Sequence, residues 1–139
     1  MGTDELGLNE MLYIADLDSP NMVKAELEDG VHSFYLGNNG DKLIDIYSNP
    51  QTPKTTRILD LDAKLISNIL VSDNPVANLK IGEVEIVHML ADDGMTILNG
   101  RLIKPYDFNL DKKYKVLVYV YGGPHLQLIR NSWMSAAPL

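Results

Sequence analysis

The sequence VHSFYLGNNGDKLIDIYS, at residues 31–48, predicts a β-hairpin. Its centre at residues 37–40 reads Gly-Asn-Asn-Gly, and both residue types tolerate the positive φ angles that tight hairpin turns require. The run after this turn alternates with the period of a strand. Alternation divides its side chains between two faces, with Ile44, Ile46 and Ser48 on one and Asp45 and Tyr47 on the other.

Further short apolar runs lie on both sides of this hairpin, at residues 12–17 and 55–61. A spacing of roughly ten residues between such runs is typical of β-sandwiches, barrels and propellers. Residues 63–70 fit either one or two turns of helix or a strand, and the pattern leaves both open. Residues 1–10 are polar without an apolar period, which predicts a disordered terminus or a cloning remnant with no role in the fold.

A linker around Pro75 divides the chain, since residues 73–78 are polar and rich in asparagine. After it, residues 83–90 and 95–104 predict one long hairpin. Residues 91–94, Ala-Asp-Asp-Gly, would close it with a glycine turn.

Residues 116–121 form a continuous run of β-branched, apolar and aromatic side chains, VLVYVY. Such a run predicts a strand that is buried on both faces, as in an α/β sheet. The sequence after it supplies no helix or parallel strand that would cover this strand. We therefore expect a fragment of a larger fold.

Charge and composition argue against several classes of protein. With 12 Lys and Arg against 19 Asp and Glu, the formal net charge is −7. Nucleic acid is not an expected partner, because phosphate binding needs clustered cations. No apolar stretch approaches the roughly 20 residues of a membrane helix. The chain has no cysteine, which excludes disulfides, a thiol nucleophile and thiolate zinc sites.

The histidines and carboxylates do not predict a metal site or a cofactor. His32, His88 and His125 lack metal-ligand spacing, and no acidic cluster matches a calcium loop. We expect His88 to be a partly buried strand residue and His125 to have a structural role in a loop. The acidic clusters expected to be solvated turns are Asp16-Asp18, Glu26-Glu28-Asp29, Asp60-Asp62 and Asp92-Asp93.

A series of motifs in the second half resembles a known family. Its members, in order and at the family's spacing, are Asp93-Gly94, Leu98, Arg101, Lys104-Pro105, Phe108, Lys112-Lys113-Tyr114, Tyr121 through His125, Gln127 and Trp133. This series resembles the dipeptidyl peptidase IV branch of the prolyl oligopeptidase family of serine peptidases. Lys115 departs from the pattern, which usually has proline there. Weaker matches lie upstream, at residues 11–18 and at residues 47–53.

The resemblance implies a mainly-β fold in which the end of a β-propeller joins the first strands of an α/β-hydrolase sheet, with the catalytic remainder missing. Residues 11–80 would hold the last propeller strands and the linker. Residues 81–139 would begin the hydrolase domain. In that domain, the hairpin at residues 83–104 would supply the first two strands and residues 115–121 the third.

The resemblance also implies a role for Tyr121. In the family, the tyrosine before Gly-Gly-Pro donates its phenolic proton to the oxyanion of the tetrahedral intermediate. The alternative is an aromatic residue that only packs at the end of a strand. Gly122, Gly123 and Pro124 would form a turn, with the glycines either at φ angles that a Cβ forbids or leaving room for substrate beside Tyr121.

The sequence contains no Gly-x-Ser-x-Gly nucleophile elbow, and in such hydrolases the acid and the histidine follow the serine. The resemblance therefore implies a parent serine exopeptidase that releases short N-terminal units with proline or alanine next to the cut. This chain, without the Ser-Asp-His triad, would be inactive. The alternative function is a self-standing β domain that serves in interaction or assembly without catalysis.

The expected partner of the parent is a peptide substrate, whose binding residues the sequence leaves unassigned. For this chain we expect a homo-oligomer, most simply a dimer, because an exposed apolar strand at residues 116–120 would pair or pack with another copy. The location of this chain is left open. The resemblance to exported bacterial enzymes implies a periplasmic or cell-envelope location for the parent.

Overall fold

The computed structural model describes residues 1–134, which form ten β-strands and no helix. The mainly-β prediction is confirmed for this part of the chain. The strands are β1 (Gly2–Thr3), β2 (Glu10–Met11), β3 (Tyr13–Ala15), β4 (Met22–Lys24), β5 (Val31–Leu36), β6 (Leu43–Asn49), β7 (Thr52–Leu59), β8 (Leu65–Val71), β9 (Val84–Leu90) and β10 (Ile97–Ile103).

The chain divides into two compact units. Within the described residues, the first contains Met1–Ala77 and residues 130–134, and the second contains Asn78–Ile129. Residues 81–139 were expected to lie together, but residues 130–134 belong to the first unit. The Asn131 amide donates to the Leu8 carbonyl at 2.9 Å, and Arg130 Nη1 lies 2.9 Å from Glu10 Oε1.

The first unit is built on a four-stranded antiparallel sheet in the order β5-β6-β7-β8. β5 and β6 pair from Val31 opposite Ser48 to Leu36 opposite Leu43, which confirms the hairpin predicted from residues 31–48. Gly40 closes its turn with a φ of 69°, the left-handed conformation that favours glycine.

The ambiguous segment at residues 63–70 is a strand. β8 pairs antiparallel with β7. The register of this pair shifts at irregularities, which interrupt the strict alternation of side chains between the two faces. All seven residues of β8 are exposed, so this strand forms an apolar edge of the sheet within the described residues. The hydrogen bonds to β7 decided between helix and strand, which the local pattern did not.

Residues 1–10 take part in the fold, contrary to the expectation from their polarity. β1 pairs with β2, and Leu8 and Met11 are buried. The Asp4 carboxylate accepts a hydrogen bond from the Leu8 amide at 2.8 Å, which closes the loop between the two strands. Polar side chains here satisfy the backbone of a tight loop instead of solvating a free terminus.

The apolar core of the first unit lies on one face of the four-stranded sheet. Leu59, Ala25 and Ala63 are buried at its centre. Partly buried side chains packed against them are Leu12, Leu27, Phe34 and Leu43. Burial alternates along the second half of β7, where Leu59 is covered and Ile58 less so.

The second unit contains the predicted hairpin of β9 and β10, which pair from Val84 opposite Ile103 to Leu90 opposite Ile97. Gly94 closes it with a φ of 67°. At its open end, a Cβ on Gly82 would lie 1.4 Å from the Lys104 carbonyl oxygen, so only glycine fits there.

The prediction of a buried strand at residues 116–121 is wrong. No strand within the described residues pairs with this segment, and residues 116–120 are between 75% and 95% exposed. A strand exists through hydrogen bonds to a neighbour, and an apolar run without one has no ladder to join. The high β-propensity of these side chains therefore does not produce a strand in this structure.

Candidate functional site

Tyr121, the residue with a predicted catalytic role, lies in the second unit after the extended segment. Its side chain is 48% exposed. A Cβ on Gly123 would lie 3.0 Å from both the hydroxyl oxygen and Cζ of Tyr121, so this glycine allows the ring to lie close to the backbone. A half-exposed phenol beside an open backbone can donate a hydrogen bond to a bound group.

The turn after Tyr121 differs from the expected one. Neither Gly122 nor Gly123 has a positive φ, and a Cβ on Gly122 would have no neighbour within 4 Å. The left-handed residue is His125, with a φ of 71°, directly after Pro124. Space beside Tyr121, and not φ, is therefore what the structure requires of Gly123.

A second polar site lies in the first unit, on the sheet face that carries Asp45. His32 on β5 and Asp45 on β6 are both completely buried. His32 Nδ1 lies 3.1 Å from each carboxylate oxygen of Asp45. Arg57 on β7 donates its Nε to Asp45 Oδ2 at 2.8 Å. Three adjacent strands thus each contribute one charged or titratable side chain to a buried face. We call these three residues, together with Glu28, the buried cluster.

Glu28 joins the buried cluster from the segment that precedes β5. Arg57 binds its carboxylate through two parallel hydrogen bonds, Nη1 to Oε1 at 2.9 Å and Nη2 to Oε2 at 2.7 Å. These hydrogen bonds from Arg57 lower the pKa of Glu28 to about 2, against the opposing effect of burial. The Glu28 carbonyl also lies 2.9 Å from His32 Nε2, so the cluster holds both the backbone and the side chain of this residue.

Tyr47 covers the buried cluster from β6. Its ring stacks on His32 with centroids 4.7 Å apart, and the Arg57 guanidinium carbon lies 5.0 Å from the centroid of the same ring. Its hydroxyl accepts a hydrogen bond from Asn49 Nδ2 at 2.7 Å. Burial raises the pKa of Tyr47, because it disfavours the phenolate. The phenol therefore remains neutral and covers the charged side chains of the cluster.

The buried cluster is not predicted by the motifs of the sequence, although a signal for it is present there. Alternation had placed Asp45 and Tyr47 on one face of β6, and the register sets Arg57 opposite Asp45 and His32 opposite Tyr47. Polar residues at matching positions of three neighbouring strands are this signal. Glu28 had been grouped with solvated carboxylates; its side chain is 57% exposed, but it is bound by Arg57.

The other candidate residues have local roles. His88 is exposed, contrary to expectation, and its Nδ1 lies 2.8 Å from Asn99 Oδ1 across the hairpin. Asp60 and Asp93 cap turns by accepting backbone hydrogen bonds. No group of three or more histidine, aspartate or glutamate side chains in residues 1–134 could hold a metal ion. The same residues include no helix long and apolar enough to cross a membrane.

Comparisons with known proteins match most of the chain to one group of enzymes. No protein-family model matches the sequence. Dipeptidyl peptidase 8 of Mus musculus is 30% identical over 141 residues, which cover 94% of this chain and 16% of that protein. Prolyl endopeptidase FAP of Bos taurus is 32% identical over 80 residues, covering 55% of this chain and 10% of that protein.

Solved structures give the same result. A protein of Bacteroides ovatus described as a dipeptidyl aminopeptidase IV is 38% identical and superposes with a TM-score of 0.73, covering 79% of this chain and 16% of that one. Dipeptidyl peptidase 4 of Porphyromonas gingivalis shares the fold with a TM-score of 0.76 at 21% identity. The chain spans about a sixth of the length of the relatives it matches. In sequence and in fold, it resembles a segment of the dipeptidyl peptidase IV branch of the prolyl oligopeptidase family.

Proposed function

We propose that this chain is part of a serine exopeptidase of the dipeptidyl peptidase IV type. The complete enzyme would release short N-terminal units with proline or alanine next to the cut. The observation that carries the proposal is the series of family motifs from Asp93 to Trp133, in a chain that is 38% identical to the Bacteroides ovatus protein and superposes on it with a TM-score of 0.73.

The two units would then be the end of a β-propeller and the start of an α/β-hydrolase domain. The strand order β5-β6-β7-β8 supports the first assignment, because each blade of a propeller is a four-stranded sheet of this kind. The β9–β10 hairpin would supply the first two strands of the hydrolase sheet. Residues 115–121 would enter that sheet only where a neighbouring strand is present to pair with them.

In this enzyme Tyr121 would donate its phenolic hydrogen to the oxyanion of the tetrahedral intermediate. A single donor of this kind contributes about 3 kcal/mol to transition-state stabilisation. Its half-exposed side chain and the close approach allowed by Gly123 support the role. The turn at Gly122, Gly123 and Pro124 would leave substrate access to the hydroxyl. The peptide substrate is the partner that this chemistry requires.

The experiment that tests the proposal uses the full-length gene product. We expect it to react with a fluorophosphonate probe and to hydrolyse Gly-Pro and Ala-Pro chromogenic substrates. The 139-residue chain should do neither, since it has no nucleophile elbow and an oxyanion donor alone leaves only residual catalysis. A full-length product without labelling or hydrolysis contradicts the proposal.

The second candidate function is an interaction or assembly module without catalysis. The exposed edge strand β8 and the exposed apolar run at residues 116–120 favour it, because an open sheet edge and an extended apolar segment can pair with other chains. In either function we propose a homo-oligomer, most simply a dimer. For the enzyme, the exported relatives known in the family favour a periplasmic or cell-envelope location.

A further inference from the structure

We propose that His32 is held as the imidazolium. In this form it links the four-stranded sheet to the segment before β5, and the link depends on the proton. Both ring nitrogens of His32 face groups that accept hydrogen bonds. Nε2 lies 2.9 Å from the carbonyl oxygen of Glu28, and Nδ1 lies 3.1 Å from both carboxylate oxygens of Asp45. A carbonyl only accepts, and an ionised carboxylate only accepts, so the geometry asks for a hydrogen on each nitrogen.

Neutral imidazole cannot satisfy both contacts, since it carries one hydrogen. With that hydrogen on Nε2, the lone pair of Nδ1 would face the Asp45 carboxylate. With it on Nδ1, the lone pair of Nε2 would face the Glu28 carbonyl. His32 is completely buried, so water cannot replace the missing donor, and either tautomer leaves a repulsive buried contact.

The charges around His32 support the same protonation state. His32 contacts the Asp45 carboxylate from β6, the Glu28 carbonyl and the ring of Tyr47. Arg57 from β7 binds both Asp45 and the Glu28 carboxylate, so these charges form one connected group around the imidazole. Two carboxylates and one guanidinium leave one negative charge uncompensated, and imidazolium neutralises it. Arg57 also donates to Asp45 Oδ2, an interaction that favours the ionised carboxylate.

The consequence is a loop whose attachment depends on a proton. His32 holds the backbone of Glu28, and Arg57 holds its side chain, so residue 28 is fixed at two points on the sheet. Loss of the proton from His32 removes one of the two imidazole contacts. The folded first unit holds a proton on His32 that the unfolded chain releases near neutral pH. The stability of this unit should therefore fall as pH rises.

Nitrogen-15 NMR of the full chain tests the protonation state directly. At pH 7 both ring nitrogens of His32 should resonate together in the protonated range, each coupled to its own slowly exchanging hydrogen. One nitrogen in the unprotonated range would overturn the proposal. This measurement needs only the wild-type chain, so it decides even where a variant fails to fold.

Equilibrium unfolding between pH 6 and 9 tests the consequence. The unfolding constant of the wild type, divided by that of His32→Gln, should increase with pH, by at most about tenfold per pH unit, the limit for one proton. His88→Gln is the matched control, because His88 is exposed and lies outside the buried cluster. Asp45→Asn should abolish the pH-dependent part. A wild-type to His32→Gln ratio that is constant with pH would overturn the proposed proton-dependent link.

Discussion

At the scale of single residues, Asp45 shows how this fold accommodates charge. Removing a carboxylate from water costs several kcal/mol unless partners replace the hydration. Arg57 and His32 supply those partners from the two neighbouring strands. Truncating either partner leaves a buried charge without its compensation, which is more costly than the pair itself is stabilising. The buried cluster therefore constrains the register of three strands.

Glu28 gives a prediction for acid pH. Its pKa is lowered from 4.5 to about 2 by the hydrogen bonds from Arg57, so its contribution to stability is complete above pH 4.5 and is lost as pH falls towards 2. Because the Glu28 carboxylate is half exposed, this pair contributes about 1 kcal/mol or less. Glu28→Gln should lower stability by that order at pH 7 and should flatten the acid loss, measured by urea unfolding from pH 7 to pH 2. Asp62→Asn, in an exposed pair 3.9 Å from Lys64, is the control. Parallel pH curves for Glu28→Gln and the wild type would contradict the assignment.

Tyr121 gives the prediction for catalysis in the full-length enzyme. Tyr121→Phe should lower kcat by about 10²-fold with a smaller change in KM, because the lost hydrogen bond forms mainly in the transition state. Steady-state kinetics on an Ala-Pro substrate measure this. Tyr119→Phe, two residues earlier on the same exposed segment, is the matched control. An unchanged kcat would leave Tyr121 as an aromatic residue that only packs.

At the scale of elements, both hairpins depend on a glycine in the turn between their strands. Gly40 and Gly94 have positive φ angles, and a Cβ on either would meet no atom within 4 Å. The requirement for glycine is therefore conformational and not steric. Gly122 in the second unit has equally open surroundings without a positive φ, so it separates the two causes.

Gly94→Ala should destabilise the β9–β10 hairpin by about 1 kcal/mol, the cost of a left-handed conformation for a residue with a Cβ. Gly122→Ala should be neutral or slightly stabilising, because it only restricts the unfolded chain. Hydrogen exchange of the β9 and β10 amides measures both effects. Equal protection in the two variants would show that the turn conformation does not limit the stability of the hairpin.

At the scale of the whole molecule, exposed apolar surface dominates the behaviour we expect in solution. Five large apolar residues of β8 are exposed, as are residues 116–120. The net charge of −7 opposes random aggregation without covering these surfaces. An exposed edge strand and an exposed apolar segment of this kind associate with other strands, and closed two-fold association is the simplest outcome.

We therefore expect a defined dimer, measured by light scattering at micromolar concentration. Val118→Lys should shift the mass towards the monomer, since it places a charge in the run that we propose to associate. Lys113→Ala, just outside that run, should leave the mass unchanged. A wild-type monomer with the circular dichroism of β-structure would contradict the dimer.

Local chemistry determined much of this protein from the sequence alone. The hairpins at residues 31–48 and 83–104 follow from turn residues and alternation, which involve only neighbours in the chain. The family resemblance likewise follows from ordered motifs. In contrast, alternation separated Asp45 and Tyr47 from Ile44 and Ile46 without saying which face is covered. Burial depends on what packs against the sheet.

Only the tertiary structure decided the features that depend on distant residues. His32, Asp45 and Arg57 meet because three strands pair in one register, and this register brings residues far apart in sequence to one buried face. Residues 116–121 have the composition of a central strand but remain exposed, because no strand of the described chain pairs with them. Propensity favours a conformation, but hydrogen bonds and burial come from a partner, and a partner is a property of the fold.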